Sequence, residues 1–239
     1  MKEILKYSCL IFLYALSHSY LATCFAIDLK IKGYEERYIG LSLSFWGIGV
    51  ISGALLHNLI RKKLNLFSTI LYGSIIQLSF SLIFLIDQNT FLVALMQFVM
   101  GITSAINSLT LESHISSKFK KTSGFYISLF WSSAGLGAIT GSLFIAINGI
   151  NNLTYYLAIL FFLMHFIPIY LFRSSISKIA IENLSLRLSK NVISKIKYLL
   201  FCVILFGACD AGFSSLFPSY LLEESYSCLL YTSDAADDP

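Results

Sequence analysis

From Phe125 to Phe172 the chain runs for 48 residues without an Asp, Glu, Lys or Arg. As one helix this stretch would be about 70 Å long at about 1.5 Å per residue. The hydrocarbon core of a bilayer is only about 30 Å thick. The stretch therefore reads as two spans with a turn between them, and Asn148-Gly149-Ile150-Asn151-Asn152 supplies the turn chemistry. The rest of the chain suits the same solvent. Of its 239 residues 56% are hydrophobic and 13% charged, against about 25% charged in a soluble domain. That leaves too few polar side chains to cover a water-facing surface. The apolar runs are apolar all round rather than alternating, which argues against a β-barrel.

Seven spans follow, at roughly Tyr7–Ile27, Tyr38–Ile60, Phe67–Ile86, Thr90–Leu111, Phe125–Ile147, Leu153–Phe172 and Tyr198–Leu222. Each is close to the length a bilayer asks of a helix, and helices are forced because lipid offers no partner to open backbone groups. The expected class is an all-α integral membrane protein.

The basic residues fix an orientation. Lys2 and Lys6 precede the first span; Arg61, Lys62 and Lys63 follow the second; Lys118, Lys120 and Lys121 follow the fourth. Arg173, Lys178, Arg187, Lys190, Lys195 and Lys197 follow the sixth. The other side holds only Lys30, Lys32 and Arg37. Cytoplasmic loops carry the Lys and Arg, so the amino terminus is expected inside. The net charge of +4 belongs to this pattern and not to a nucleic-acid surface. Residues 173–197, basic with spaced Ile and Leu, suit an interfacial helix under the membrane.

Leu21-Ala22-Thr23-Cys24 faintly resembles a lipoprotein cleavage box, but removing the first span would break the charge alternation, so it is read as a span. Cys9, Cys24, Cys202, Cys209 and Cys228 show no metal spacing or disulfide framework. They read as small buried hydrophobes, and no metal or cofactor is expected. Cys228–Asp237 reads as the in-frame translation of a transposase adapter used in sequencing libraries. Residues 228–239 are therefore expected to be an artefact, with the authentic chain running to about Ser227.

Six spans, a long basic loop and a seventh span resemble the beginning of a twelve-span transporter of the major facilitator superfamily. Two segments sharpen the likeness. Gly53-Ala54-Leu55-Leu56-His57-Asn58-Leu59-Ile60-Arg61-Lys62 is similar to the family's loop motif Gly-x-Leu-x-Asp-Arg-x-Gly-Arg-Arg, with Gly53, Leu55, Arg61 and Lys62 matching. His57, Asn58 and Ile60 replace its Asp, first Arg and second Gly, so the family's charge-paired latch is not carried over. Gln97-Phe98-Val99-Met100-Gly101 resembles Arg-x-x-x-Gly, with Gln97 where the family has the Arg often linked to proton coupling. Gly135, Gly137 and Gly141 sit where antiporters of the family keep a Gly-Pro motif, here without the Pro.

The resemblance implies a six-helix amino-terminal bundle of 3+3 inverted repeats over residues 1–172. A cytoplasmic loop would follow over 173–197, then a seventh helix over 198–227 that opens a second bundle. It further implies a protein that is not an enzyme, monomeric at full length, whose partners are the bilayer and a small-molecule solute, with or without a coupling proton or cation. Transport by alternating access, active or facilitative, is the expected function.

Polar residues at membrane depth are the candidates for the solute or ion path, because burying them there demands a reason. His18 can switch charge near neutral pH or can be a neutral cross-helix partner. Trp46 can line the path or pack. Gln77, Gln97 and Asn107 can hydrogen-bond a polar solute or serve as helix glue. Glu112 suits an inner gate or cation contact, or an interfacial carboxylate paired with Lys118 or Arg61. Asp210, beside Gly207 and Gly212, is expected to face the bundle. His165 has only apolar chain neighbours and reads as structural. Gly47, Gly49 and Gly53, and Gly135, Gly137 and Gly141, suit close helix approach. Two other classes compete. An intramembrane serine hydrolase needs a Gly-x-Ser motif, and Gly141-Ser142 lacks the x. A non-transporting adaptor made of half a transporter needs a natural stop near residue 227.

Overall fold

The computed structural model describes residues 2–83, 89–149, 152–171 and 173. They form six helices: α1 (Lys2–Ile31), α2 (Glu36–Arg61), α3 (Leu66–Ile83), α4 (Thr90–Lys118), α5 (Ser123–Asn148) and α6 (Asn152–Leu171). No strand occurs among the described residues. Five helices, all but α3, are long and apolar enough to cross a membrane. The protein is thus all-α, with the helices of a membrane protein. The expected loop over 173–197 (beyond Arg173 itself), the seventh span, Asp210 and the tail lie outside the described residues.

Local chemistry sets the helix ends. Gly33, at φ +82°, stops α1 in a left-handed turn open to glycine. Its N–H reaches the Lys30 carbonyl at 2.9 Å and the Tyr34 N–H reaches Leu29 at 3.1 Å, the paired closure of a Schellman motif. Asn89 starts α4, its side-chain oxygen accepting from the Leu92 N–H at 2.8 Å. α1 outruns its expected span by five residues at its start and four at its end, and the largest departure at a single end is at the other end of α4, which continues seven residues past Leu111 to Lys118. The polar run there is held by packing: His114 and Ile115 are buried. The hydroxyls of Ser113 and Ser117 meanwhile bond back to the carbonyls of Thr110 and His114.

Cross-helix contacts give the directions. His57 on α2 meets Thr110 on α4 at 3.2 Å, and Gly49 lies against Gly101, so α2 and α4 run parallel. Ser19 on α1 meets Ser142 on α5 at 2.7 Å, and Gly137 lies against Phe12, so α1 and α5 are parallel too. The two pairs oppose each other, because Tyr7 near the start of α1 bonds His114 near the end of α4 at 2.9 Å. These two pairs are the most extensive in the bundle, followed by α1 with α6 and α3 with α4, then α3 with α6.

Both main pairs depend on a missing side chain. A Cβ on Gly49 would run into the Phe98 carbonyl oxygen, and one on Gly53 into that of Ile102. In the other pair, Gly137 and Gly141 stand in the same relation to the carbonyls of Phe12 and Leu16. Lipid gives apolar side chains no reason to prefer each other, so close backbone approach is what holds such helices together. By contrast, Cβ atoms on Gly47 and Gly135 would meet nothing. They lie on the outward face, among exposed Ile48, Ile51, Leu136 and Ile139.

The interior divides into two apolar clusters. One gathers Tyr20–Leu29 of α1 with Ile39, Met96, Met100 and Phe162. The other gathers Ile4–Ile11 with Ile70, Leu111, Ile115, Phe130 and Ile169. Between them lies a polar layer.

Candidate functional site: a polar layer between two apolar clusters

Helix α1 brings Tyr14, Ser17 and His18 to this layer, one turn apart. α3 adds Gln77, α4 adds Gln97, Thr103, Ser104 and Asn107 over about 15 Å of its length at about 1.5 Å per residue, and α6 adds His165. Gln77 is 0% exposed, Gln97 2%, His165 4% and Asn107 7%. Neutral amides so deeply buried in an apolar bundle carry a desolvation penalty unless bonded.

Only part of the layer is bonded within the protein. Gln77 donates its amide N–H to the Thr103 hydroxyl at 2.9 Å, and that hydroxyl lies 3.0 Å from the Val99 carbonyl and 3.1 Å from that of Met100. The aromatic groups touch ring to ring. Tyr14 stacks on His18 with centroids 6.1 Å apart, His165 meets the edge of Tyr14 at 5.9 Å, and His18 meets Trp46 of α2 at 5.5 Å. Gln97 is turned toward the His18 ring, and the Tyr14 hydroxyl toward Ser104 and Gln77, without reaching hydrogen-bond geometry. Seven polar atoms of the layer have no protein partner: the Tyr14 hydroxyl, His18 Nε2, Trp46 Nε1, Gln77 Oε1, Gln97 Oε1, Asn107 Oδ1 and His165 Nδ1. Native interiors pair most such groups, so their concentration in one layer marks it out.

Of the expected path residues, His18, Trp46, Gln77, Gln97 and Asn107 all come to this layer. Glu112 does not. It stands roughly 12 Å further along α4 than Ser104, at about 1.5 Å per residue. There it accepts from the Trp131 indole at 2.7 Å. Asp210 lies outside the described residues. In the loop-motif segment, Gly53 is spent on packing against α4, while Lys62 is exposed beyond the helix end and Arg61 half-exposed. His57, at the motif's Asp position, is buried and turned to Thr110.

Tyr14, Thr103 and Ser104 were not among the expected site residues, and His165, expected to be structural, sits among polar groups. Helical spacing of polar residues, four from Tyr14 to His18 on α1, and seven then three from Gln97 through Ser104 to Asn107 on α4, is the sequence signal that marks the face they share. Among the described residues no group of His, Cys, Asp and Glu could hold a metal ion. Comparison with protein-family models gives no match, and comparison with curated proteins gives none either.

Proposed function

We propose that the chain is the amino-terminal six-helix half, with the seventh helix, of a major facilitator superfamily transporter that carries a small solute across a bacterial cytoplasmic membrane by alternating access. The observation that carries this reading is a recurrence within the sequence. The pattern Tyr38-Ile39-x-Leu41-x-x-Ser44-x-x-Gly47-x-Gly49-x-Ile51-x-Gly53-x-Leu55 recurs 88 residues later as Tyr126-Ile127-x-Leu129-x-x-Ser132-x-x-Gly135-x-Gly137-x-Ile139-x-Gly141-x-Leu143. The glycines that recur also pack alike: Gly49 and Gly53 lie on Phe98 and Ile102, Gly137 and Gly141 on Phe12 and Leu16. Exchanging α1 with α4, α2 with α5 and α3 with α6 maps each of the main helix pairs onto another or onto itself. That α2 and α5 point opposite ways supports reading the repeat as inverted, the arrangement on which alternating-access transporters are built around a midplane site. The polar layer is the half-site such a bundle would offer, with His18, Trp46 and Gln97 as the solute-facing groups. The charge asymmetry of the loops supports an amino terminus inside.

The test has two steps. The source gene is sequenced across the codons after Ser227, where a continuing frame with further apolar spans is expected. The complete protein is then reconstituted in proteoliposomes and screened for flux with a panel of labelled sugars, amino acids and amphipathic drugs, beside the fragment ending at Ser227. Flux by the complete protein and none by the fragment is the expected result. A genomic stop near residue 227, or flux by the fragment alone, would overturn the reading; the stop would favour an adaptor.

A further inference from the structure

We infer that a single structural water is built into the bundle between α1, α4 and α6, held by Tyr14, Asn107 and His165. A small cavity lies between these helices and α3, and gives a water's centre about 10 Å³, the size that admits one molecule. Its wall includes Tyr14, Asn107 and His165, with Leu10, Ile70 and Leu111 as apolar lining. Size alone does not make a water site, because apolar cavities stay dry and a water needs two to four polar partners.

Here three polar atoms that lack a protein partner belong to residues of the cavity wall: the Tyr14 hydroxyl, Asn107 Oδ1 and His165 Nδ1. Their hydrogen-bond senses balance. A neutral imidazole that carries its proton on Nε2 presents Nδ1 as an acceptor. Asn107 Oδ1 is also an acceptor, and the Tyr14 hydroxyl is a donor. A water donating its two protons to Nδ1 and Oδ1, and accepting from Tyr14, satisfies all three, the usual number of bonds for a buried water. Such a water joins α1, α4 and α6, where no direct hydrogen bond between these side chains does. The inference stands whether or not the chain is part of a transporter.

Radiolytic hydroxyl labelling of the purified full chain in detergent tests it, because side chains beside a bound water are oxidised despite burial. Leu10 and Leu111, which line the cavity, are compared with Leu21 and Leu29, which are equally buried elsewhere. Leu10 and Leu111 are expected to be oxidised several times faster. The variant N107L with H165F, which fills the cavity and removes both acceptors, is expected to bring them down to the rate of Leu21. Equal rates in the unaltered chain would overturn the inference, whether or not the variant folds. Fast oxidation that persists in a folded variant would overturn it too, since solvent would then arrive by another route.

Discussion

The indole N–H of Trp131 on α5 donates to the Glu112 carboxylate on α4 across 2.7 Å, linking two helices that otherwise touch little. Trp131 is 48% exposed and Glu112 is half-buried, so solvent competes for the bond. Trp131→Phe is expected to destabilise the chain by about 1 kcal/mol, below the range of about 1.5–3 kcal/mol for a buried bond to a charged group. Glu112→Gln keeps an acceptor and should shift the melting temperature less. Thermal unfolding of both variants in detergent checks this, and a larger loss for Glu112→Gln would show that the carboxylate has another role.

Two glycines two residues apart should behave oppositely. Gly49→Ala drives a methyl group into the Phe98 carbonyl, and overpacking of this kind costs about 1–3 kcal/mol. Gly47→Ala meets nothing and should stabilise α2 by up to about 1 kcal/mol through helix propensity. The repeat extends the expectation to Gly137→Ala and Gly135→Ala. Melting temperatures and monodispersity on size exclusion would read all four; equal effects at 47 and 49 would refute the close α2–α4 approach.

The Gln77–Thr103 bond offers a cycle. Thr103→Val leaves a buried amide donor without its acceptor, a loss of about 1–3 kcal/mol that membrane surroundings hold nearer to about 1 kcal/mol. Adding Gln77→Leu should recover most of the loss, because removing both partners together is nearly neutral. Additive losses in the double variant would mean the two side chains do not depend on each other.

The transport reading makes its own prediction. In the complete protein, Gln97→Leu is expected to lower solute flux at least tenfold, the effect of losing about 1.4 kcal/mol, while leaving the melting temperature close to that of the unaltered protein. His18→Leu should act likewise. Flux unchanged in both variants would remove the layer between the apolar clusters from the solute path.

Five of the spans were legible because their signal is additive. Twenty apolar residues in a row announce a helix whatever their neighbours do. The end of α4 was not, because Glu112, Ser113 and His114 look like a surface in the chain, and His114 and Ile115 become interior only when Tyr7 and Ile4 of α1 lie beside them. The polar surroundings of His165 were hidden for the same reason: its chain neighbours are apolar, and Tyr14, the residue it faces, is 151 positions away. The glycines were half legible. Their abundance implied close packing, but on α2 only Gly49 and Gly53, four apart and so on one face, make the contact, while Gly47 looks outward. The 88-residue recurrence lay in the sequence throughout, and it becomes plain once the two glycine pairs are seen on matching partners.

The parallel pairing of α1 with α5 has a consequence for how the chain is made. Phe12 and Gly137, which meet in that pair, are separated by 125 residues. Helices enter the bilayer in the order they are synthesised, at about 5–20 residues per second, so α1 is inserted many seconds before its closest neighbour exists. During that interval the stripe of α1 that will receive Gly137 and Gly141 has only lipid, or an insertion chaperone, against it. The slowest and most error-prone moment in the biogenesis of this protein should therefore be the arrival of α5, when a helix long resident in the membrane is claimed by one newly released.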